Sequence, residues 1–163
     1  MDTIVSSYLD RAQNEIILSD SIMRLSTDKL TKEQFKIPKE SVFYSAVISH
    51  AYYAIFYSAK AILLSRGIKT SYPNVHNETL NAFKDHLVDT GILDYELFVI
   101  YKKVAFKAIQ LYSIFSTEKK KRGTFTYTTL PQAEHGYALE SLKNSKLFYR
   151  NIKSVISKAY HTR

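Results

Sequence analysis

The stretch Ser49-His-Ala-Tyr-Tyr-Ala-Ile-Phe56 lies in a run, residues 42–59, that contains no formally charged side chain. A run of this length raises the question of a membrane span, for which about 20 apolar residues are needed. The run also contains hydroxyl and imidazole side chains that are costly in lipid, namely Tyr44, Ser45, Ser49, His50, Tyr52, Tyr53, Tyr57 and Ser58. We therefore expect no membrane segment here, and instead the central helix of a soluble helical bundle.

Size and composition favour one soluble domain over residues 1–163. Four glycines and three prolines leave few places for turns, so the secondary-structure elements should be long. The chain has no cysteine, which excludes disulfides, thiolate metal ligands and cysteine nucleophiles. Acidic residues interrupt the apolar positions of residues 1–20, so we expect no secretory signal and a cytoplasmic location.

Apolar residues at helical spacing predict an all-α, up-and-down bundle of about five helices. The first helix should cover residues 2–25, followed by a polar connector, residues 26–38, with one short turn around residues 31–35. The second helix should begin near Lys39 and stop at Gly67. It should offer a face of small residues for close packing: Ala51, Ala54, Ser58 and Ala61.

The second half of the chain predicts three further helices. The third should cover residues 75–90, and the fourth should follow a cap at Asp94 and end in the charged residues 118–122. Residues 123–130 are rich in Thr and Tyr and are expected to form a loop. The last helix should have Pro131 in its first turn, with Thr129 as a candidate cap, and end near residue 160.

The formal net charge of +8 is unevenly distributed, because no acidic residue follows Glu140. Four cations of the last helix share one side: Lys143, Lys146, Arg150 and Lys153. Such a face attracts polyanions, nucleic acid above all, although it is also compatible with a solvated face or an acidic protein partner.

A second basic element ends the fourth helix: Lys119, Lys120, Lys121 and Arg122. One explanation is compensation of the helix dipole at its C-terminus. The other is RNA binding, because Phe125 and Tyr127 follow at once and place stacking rings beside cations.

The common catalytic and metal-binding signatures are absent from the sequence. No histidine has a partner at convincing metal-ligand spacing, so we expect no metal and no cofactor. His50, Tyr53, Tyr57 and Lys60 share one face of the second helix. They either pack against another helix or a dimer partner, or face a groove in which bases stack and phosphates meet Lys60.

Four segments occur in an order and spacing that resemble a known family: residues 49–67, His76, residues 83–94 and residues 122–127. The family is HEPN, the higher-eukaryote and prokaryote nucleotide-binding domain, and the similarity to its stand-alone prokaryotic branch covers roughly residues 5–155. The resemblance implies a helical bundle that is commonly a homodimer. Many members are metal-independent RNases with an Arg-x4-6-His motif at a dimer-lined cleft, and prokaryotic members are often toxins paired with a minimal nucleotidyltransferase.

The resemblance makes Arg122 the family arginine, which stabilises charge on the phosphate while a histidine moves a proton. In this chain Tyr127 stands where the shortest spacing would place that histidine, and Thr126 replaces the usual aspartate. Tyrosine, with an ordinary pKa near 10, is a poor base at neutral pH. His50 and His76 are therefore candidate replacements, and the resemblance also implies Tyr127 as a candidate acceptor for nucleotidylation.

Three functional hypotheses remain open. The first is a ribonuclease or toxin component that binds RNA or a nucleotide around residues 122–127 and acts with a nucleotidyltransferase partner. The second is a non-catalytic homodimeric interaction module that uses its basic helices for docking. The third is a structural helical dimer, whose binding to any partner would be indifferent to salt.

Overall fold

The structure, a computed structural model, describes residues 2–121 and 134–161, and for residues 112–121 it describes the backbone alone. The described chain forms six α-helices: α1 Thr3–Thr27, α2 Lys29–Gln34, α3 Tyr44–Ser65, α4 Val75–Phe83, α5 Tyr95–Lys121 and α6 His135–His161. A π-helical turn, Lys84–Val88, extends α4, and the described residues contain no strand. The prediction of an all-α bundle is confirmed.

Helix α3 lies at the centre of the bundle, where it packs against α1, α4, α5 and α6. Its small residues, Ala51, Ala54, Ser58 and Ala61, are all completely buried, so the neighbouring helices approach closely. By length and composition α3 is a candidate membrane span, but 67% of its most apolar stretch is buried inside the bundle. This is the environment expected for a central core helix.

Apolar stripes of the first and last helices face the core. In α1 the residues Val5, Leu9, Ala12 and Met23 are buried, and in α6 the residues Leu142, Tyr149, Ile152 and Ile156 are buried. Three aromatic rings connect α4, α5 and α6 in the main cluster, with Phe83 5.7 Å from Tyr101 and 5.3 Å from Phe148 between ring centroids. These contacts set the position of α5 against the bundle.

A smaller core cluster shows how the helices run. It joins Met23 near the end of α1, Val47 near the start of α3 and Leu142 near the start of α6. Leu111 in the second half of α5 packs against the same cluster. Helices α1 and α5 therefore run antiparallel to α3, and the α5 backbone continues helical for about 15 Å beyond Leu111 to Lys121.

The second predicted helix begins later than expected, at Tyr44 instead of Lys39. In a helix from Lys39, the Phe43 N–H would donate to the Lys39 carbonyl. Here the Phe43 N–H donates to Ser26 Oγ at 2.9 Å. The Lys32 ammonium donates instead to the carbonyls of Lys39, at 2.6 Å, and Ser41, at 2.8 Å. Side chains of other segments thus form hydrogen bonds with the backbone groups that an earlier start of the helix would require.

The other helix boundaries agree better with those predicted from the sequence. The short turn is the helix α2, which Asp28 caps by accepting from the Thr31 N–H at 2.8 Å. Gly67 and Gly91 have φ of 77° and 72°, as expected where left-handed backbone ends a helix. Helix α5 begins directly after Asp94. The predicted loop, Thr129 and Pro131 lie outside the described residues.

We expect Lys32→Met to lower the free energy of unfolding by about 1–3 kcal/mol, because it leaves two carbonyls without their charged donor. Methionine keeps the apolar stem of this side chain, which is only 7% exposed. Chemical denaturation of Lys32→Met beside Lys29→Met provides the measurement. Lys29 is exposed and makes one loose ion pair with Glu33, at 3.8 Å, so its loss should cost about 0.5 kcal/mol or less. Equal losses in the two variants would contradict the assigned role.

Candidate functional site

A cleft of about 550 Å³ opens between α3, α5 and the segment that leads into α4. Its size lies in the range typical of small-molecule sites. Aromatic and aliphatic side chains form most of its walls, and polar groups are contributed by Ser49, Asn74, His76, Asn77 and three tyrosines. No Lys, Arg, Asp or Glu occurs among the described residues that line it. The described part of its lining is thus mostly apolar, includes four aromatic rings and carries no formal charge.

His76 and Tyr52 form the polar pair of the cleft. The Tyr52 hydroxyl and His76 Nδ1 are hydrogen-bonded at 2.8 Å, and the imidazole packs 4.3 Å from the Phe56 ring. Burial raises the pKa of Tyr52 to about 12 and lowers the pKa of His76. Both groups are therefore neutral near pH 7, and a neutral imidazole is able to take up a proton.

Tyr101 reaches the same cleft from α5 and is only 1% exposed. Its hydroxyl has no hydrogen-bond partner in the structure. Burial, and then the proximity of Tyr52, raise the pKa of Tyr101 well above its ordinary value. From the sequence Tyr101 was only one of several apolar positions on a long helix, and no motif marked it. The structure places it among the residues that line the cleft, with a buried hydroxyl that lacks a partner.

His50 has different neighbours from His76. Its Nδ1 atom lies 2.7 Å from Glu15 Oε2 of α1, and both side chains are partly exposed. On the same face of α3, Tyr53 stacks on Tyr57 at 6.0 Å, and the Arg11 guanidinium lies 4.7 Å from the Tyr57 ring. The predicted polar aromatic stripe therefore packs largely against α1, which favours the packing interpretation.

The sequence predicts that Lys60 could meet a phosphate in a groove, but the structure places this side chain elsewhere. Its side chain is buried, and its ammonium donates to the Thr70 carbonyl at 2.7 Å and to Thr70 Oγ1 at 2.9 Å. Burial also lowers the pKa of Lys60. Because Thr70 precedes the cleft-lining residues Pro73 and Asn74, Lys60 fixes the segment that forms one wall of the cleft. The Lys60 ammonium therefore has its acceptors within the fold and is not presented to a phosphate.

The four predicted cations of α6 do share one side of that helix. Lys143, Arg150 and Lys153 are exposed. Lys146 forms an ion pair with Asp20 of α1, which also pairs with Arg24 at 3.3 Å. The Lys146 charge is thus partly neutralised, while the others remain available to a polyanion.

The second basic element is only partly described. Lys119, Lys120 and Lys121 belong to the last turn of α5, about 18 Å along the helix from the cleft residue Ile109. Arg122, Phe125 and Tyr127 lie outside the described residues. Within residues 2–111 and 134–161, whose side chains the structure describes, there is no group of three or more acidic or histidine side chains placed to hold a metal ion.

Comparison with known proteins gives two matches. A family model described as HEPN domain matches residues 32–117, which include α3, α4 and the cleft-lining part of α5. A protein of Methanocaldococcus jannaschii that bears the name "Putative toxin MJ0142" is 40% identical over 58 residues. That similarity covers 36% of this chain, and the chain spans 37% of the length of that relative.

The depressed pKa of His76 predicts how stability depends on pH. Because the folded protein holds this proton less tightly than the unfolded chain, whose pKa is 6.5, stability should fall as pH drops below that value. We expect His76→Gln to reduce the loss of stability between about pH 7.5 and pH 5.5. His86→Gln, at an exposed position outside the cleft, should keep the original dependence. Thermal denaturation at both pH values tests this, and an unchanged dependence in His76→Gln would refute it.

Proposed function

Because the chain belongs to the HEPN family, we propose that it binds RNA or a nucleotide and serves as a component of a toxin–antitoxin type system, together with a nucleotidyltransferase partner. The observation that carries the proposal is the aromatic cleft with its neutral Tyr52–His76 pair, within the residues that match the family. The name of the Methanocaldococcus relative supports the toxin setting. We also propose that residues 1–163 form one domain and that the protein lies in the cytoplasm.

Two regions of α5 suit an RNA strand. Its middle lines the cleft, where rings offer stacking surfaces for bases, and its end carries Lys119, Lys120 and Lys121, followed by Arg122. Separated by about 18 Å along the helix, the two regions would contact different nucleotides of one strand. The exposed cations of α6 extend the positive surface, so phosphate contacts supply affinity and the cleft receives a base.

Cleavage is the enzymatic form of this proposal. His76, neutral near pH 7, would take the proton of a ribose 2′-hydroxyl, whose oxygen would attack the adjacent phosphorus and displace the 5′-oxygen of the next nucleotide, which would take up a proton from water. In this form Arg122, which lies outside the described residues, would have to reach that same phosphate to stabilise its charge. His50, oriented by Glu15, is the second candidate base. Tyr127 is proposed as a phosphate or base contact and as the residue that a nucleotidyltransferase partner would modify.

An exposed apolar stripe on α5 supports a homodimer. Tyr95, Val99, Phe106 and Ile109 are 62%, 47%, 59% and 59% exposed, and together with Lys102 they follow the alternating four- and three-residue steps of a heptad. Such a stripe normally packs against another helix. A second copy of the chain carries the same stripe, so a two-fold symmetric contact would cover both. Because Ile109 also lines the cleft, the partner copy would lie at its entrance.

We expect Phe106→Glu to convert the dimer into a monomer, because it places a charge in the centre of the apolar stripe. Sedimentation equilibrium of the wild type and the variant measures the oligomeric state. Leu30→Glu is the matched control, since Leu30 is 74% exposed on α2 and outside the stripe. A wild-type monomer, or a dimer that survives Phe106→Glu, would show that α5 is not the interface.

We expect single-stranded RNA to bind with an affinity that falls as salt rises, because cations displace counterions from the phosphates. In Lys119→Ala/Arg122→Ala the slope of log affinity against log salt should decrease by about 1.4, which is two phosphate contacts. Lys29→Ala/Lys39→Ala removes the same charge at exposed positions of α2 and the next loop, and should leave the slope unchanged. Fluorescence anisotropy with a labelled oligonucleotide provides the measurement. An RNA affinity that does not change with salt concentration would refute the proposed phosphate contacts.

A cleavage assay distinguishes an RNase from a protein that only binds RNA. Total RNA and a tRNA pool are incubated in EDTA with the wild type, Arg122→Ala, Tyr127→Phe, His50→Gln and His76→Gln. If His76 is the base, its substitution should slow cleavage by about 100-fold or more. The same loss in His50→Gln alone would assign the base to His50. Intact RNA with retained binding would remove the enzymatic form and leave a non-catalytic homodimeric interaction module.

A further inference from the structure

We propose that the cleft between α3, α4 and α5 is a nucleobase pocket in which the Tyr101 hydroxyl hydrogen-bonds the edge of a bound base. The base belongs to a free nucleotide or to a single-stranded RNA, which present the same chemical groups. The inference rests on the proposed function, and it assigns the ligand class and the recognising group of the cleft. It is based on three observations: the lining of the cleft, the unpartnered Tyr101 hydroxyl, and the N–H groups in the first turn of α4 that have no partner within the helix.

The lining of the cleft selects an uncharged, planar and polar group. Formally charged side chains are absent from the described residues that line it, while aromatic rings and the amides of Asn74 and Asn77 are present. A phosphate or carboxylate inside the cleft would lose its hydration without gaining a cation. A nucleobase has the opposite needs, since its faces stack on aromatic rings and its edge forms hydrogen bonds.

Tyr101 identifies where the edge of the base would be read. A buried hydroxyl that lacks a partner destabilises a protein, and phenylalanine would fill the same space without that cost. The ring of Tyr101 is fixed between Phe83 and Phe148, at 5.7 Å and 5.8 Å, so its hydroxyl cannot easily turn away. Because the pKa of Tyr101 is raised, the hydroxyl keeps its proton and is able to donate. A ligand atom in the cleft would complete the missing hydrogen bond.

The first turn of α4 offers donors for the phosphate of the same nucleotide. Asn74 precedes the helix and makes no side-chain capping hydrogen bond, and the first helical bond runs from the Glu78 N–H to the Asn74 carbonyl at 2.9 Å. The N–H groups of residues 75–77 thus have no partner within the helix. The Glu78 carboxylate accepts from the Ser71 N–H at 3.0 Å and is not among the cleft-lining residues. An anion at the edge of the cleft would meet these donors.

The test is titration of the full chain with AMP, GMP, CMP and UMP by isothermal titration calorimetry. We expect at least one nucleotide to bind, and Tyr101→Phe to weaken that binding by about tenfold, which is the effect of one hydrogen bond. Ligand-free Tyr101→Phe should melt at the same temperature as the wild type or higher, because the variant removes an unpartnered hydroxyl. If Tyr101 had a purely structural role, its substitution would not weaken nucleotide binding while leaving the melting temperature unchanged or higher.

Tyr149→Phe is the matched control. The Tyr149 hydroxyl donates to Gln13 Oε1 at 3.0 Å between α6 and α1, and it does not line the cleft. This variant should bind the nucleotide as the wild type does and melt at a lower temperature. Inorganic phosphate is titrated as a second control, and we expect it to bind much more weakly than the nucleotide.

Several results would overturn the inference. They are the failure of all four nucleotides to bind folded protein, equal affinity in Tyr101→Phe, and phosphate binding as tight as nucleotide binding. If RNA still binds in a salt-dependent manner in any of these cases, the result supports the proposed function and contradicts the assignment of the cleft as a nucleobase pocket. If nucleotides bind but RNA does not, the pocket is a site for free nucleotides. Competition of the bound nucleotide with the RNA oligonucleotide would show that both use this cleft.

Discussion

Burial of α3 is the constraint on which the rest of the bundle depends. This helix has almost no charged surface of its own, so stability requires that other helices cover most of it. Its face of small residues brings α1 and α6 close, and Ser58 satisfies its buried hydroxyl by donating to the Ala54 carbonyl at 2.7 Å. The amphipathic stripes of α1 and α6 then have a fixed partner. The directions of the remaining helices follow from this arrangement.

The cleft exists because the aromatic side of α3 is only partly covered. Lys60 holds the segment around Thr70, and Thr70 Oγ1 is in turn hydrogen-bonded to Thr79 Oγ1 of α4 at 2.8 Å. This small buried network sets how α4 sits against α3, and places His76 beside Tyr52. A lysine predicted to contact a ligand thus contributes to the site indirectly, through the position of one wall. The chemistry of the cleft depends on hydrogen bonds that lie outside it.

The sequence predicts the helices well because helical periodicity is local, as the buried positions in α1 and α6 demonstrate. It places the start of α3 wrongly, because Ser26 and Lys32 occupy the backbone groups before Tyr44 from outside that segment. The site is less predictable for the same reason. The sequence predicts His76 as a candidate, but its pairing with Tyr52 joins residues 24 positions apart. Tyr101 resembles any core aromatic in the sequence, and only the structure shows that its hydroxyl lacks a partner.

The unpartnered hydroxyl of Tyr101 has an evolutionary consequence. In a lineage whose cleft no longer receives a ligand, phenylalanine at this position would be neutral or favourable, and drift would remove the hydroxyl. In a lineage that still uses the cleft, selection would retain it against the stability gain. The amino acid at the position equivalent to residue 101 would then divide homologous chains into two groups. One atom in the core would record which of them still recognise a ligand there.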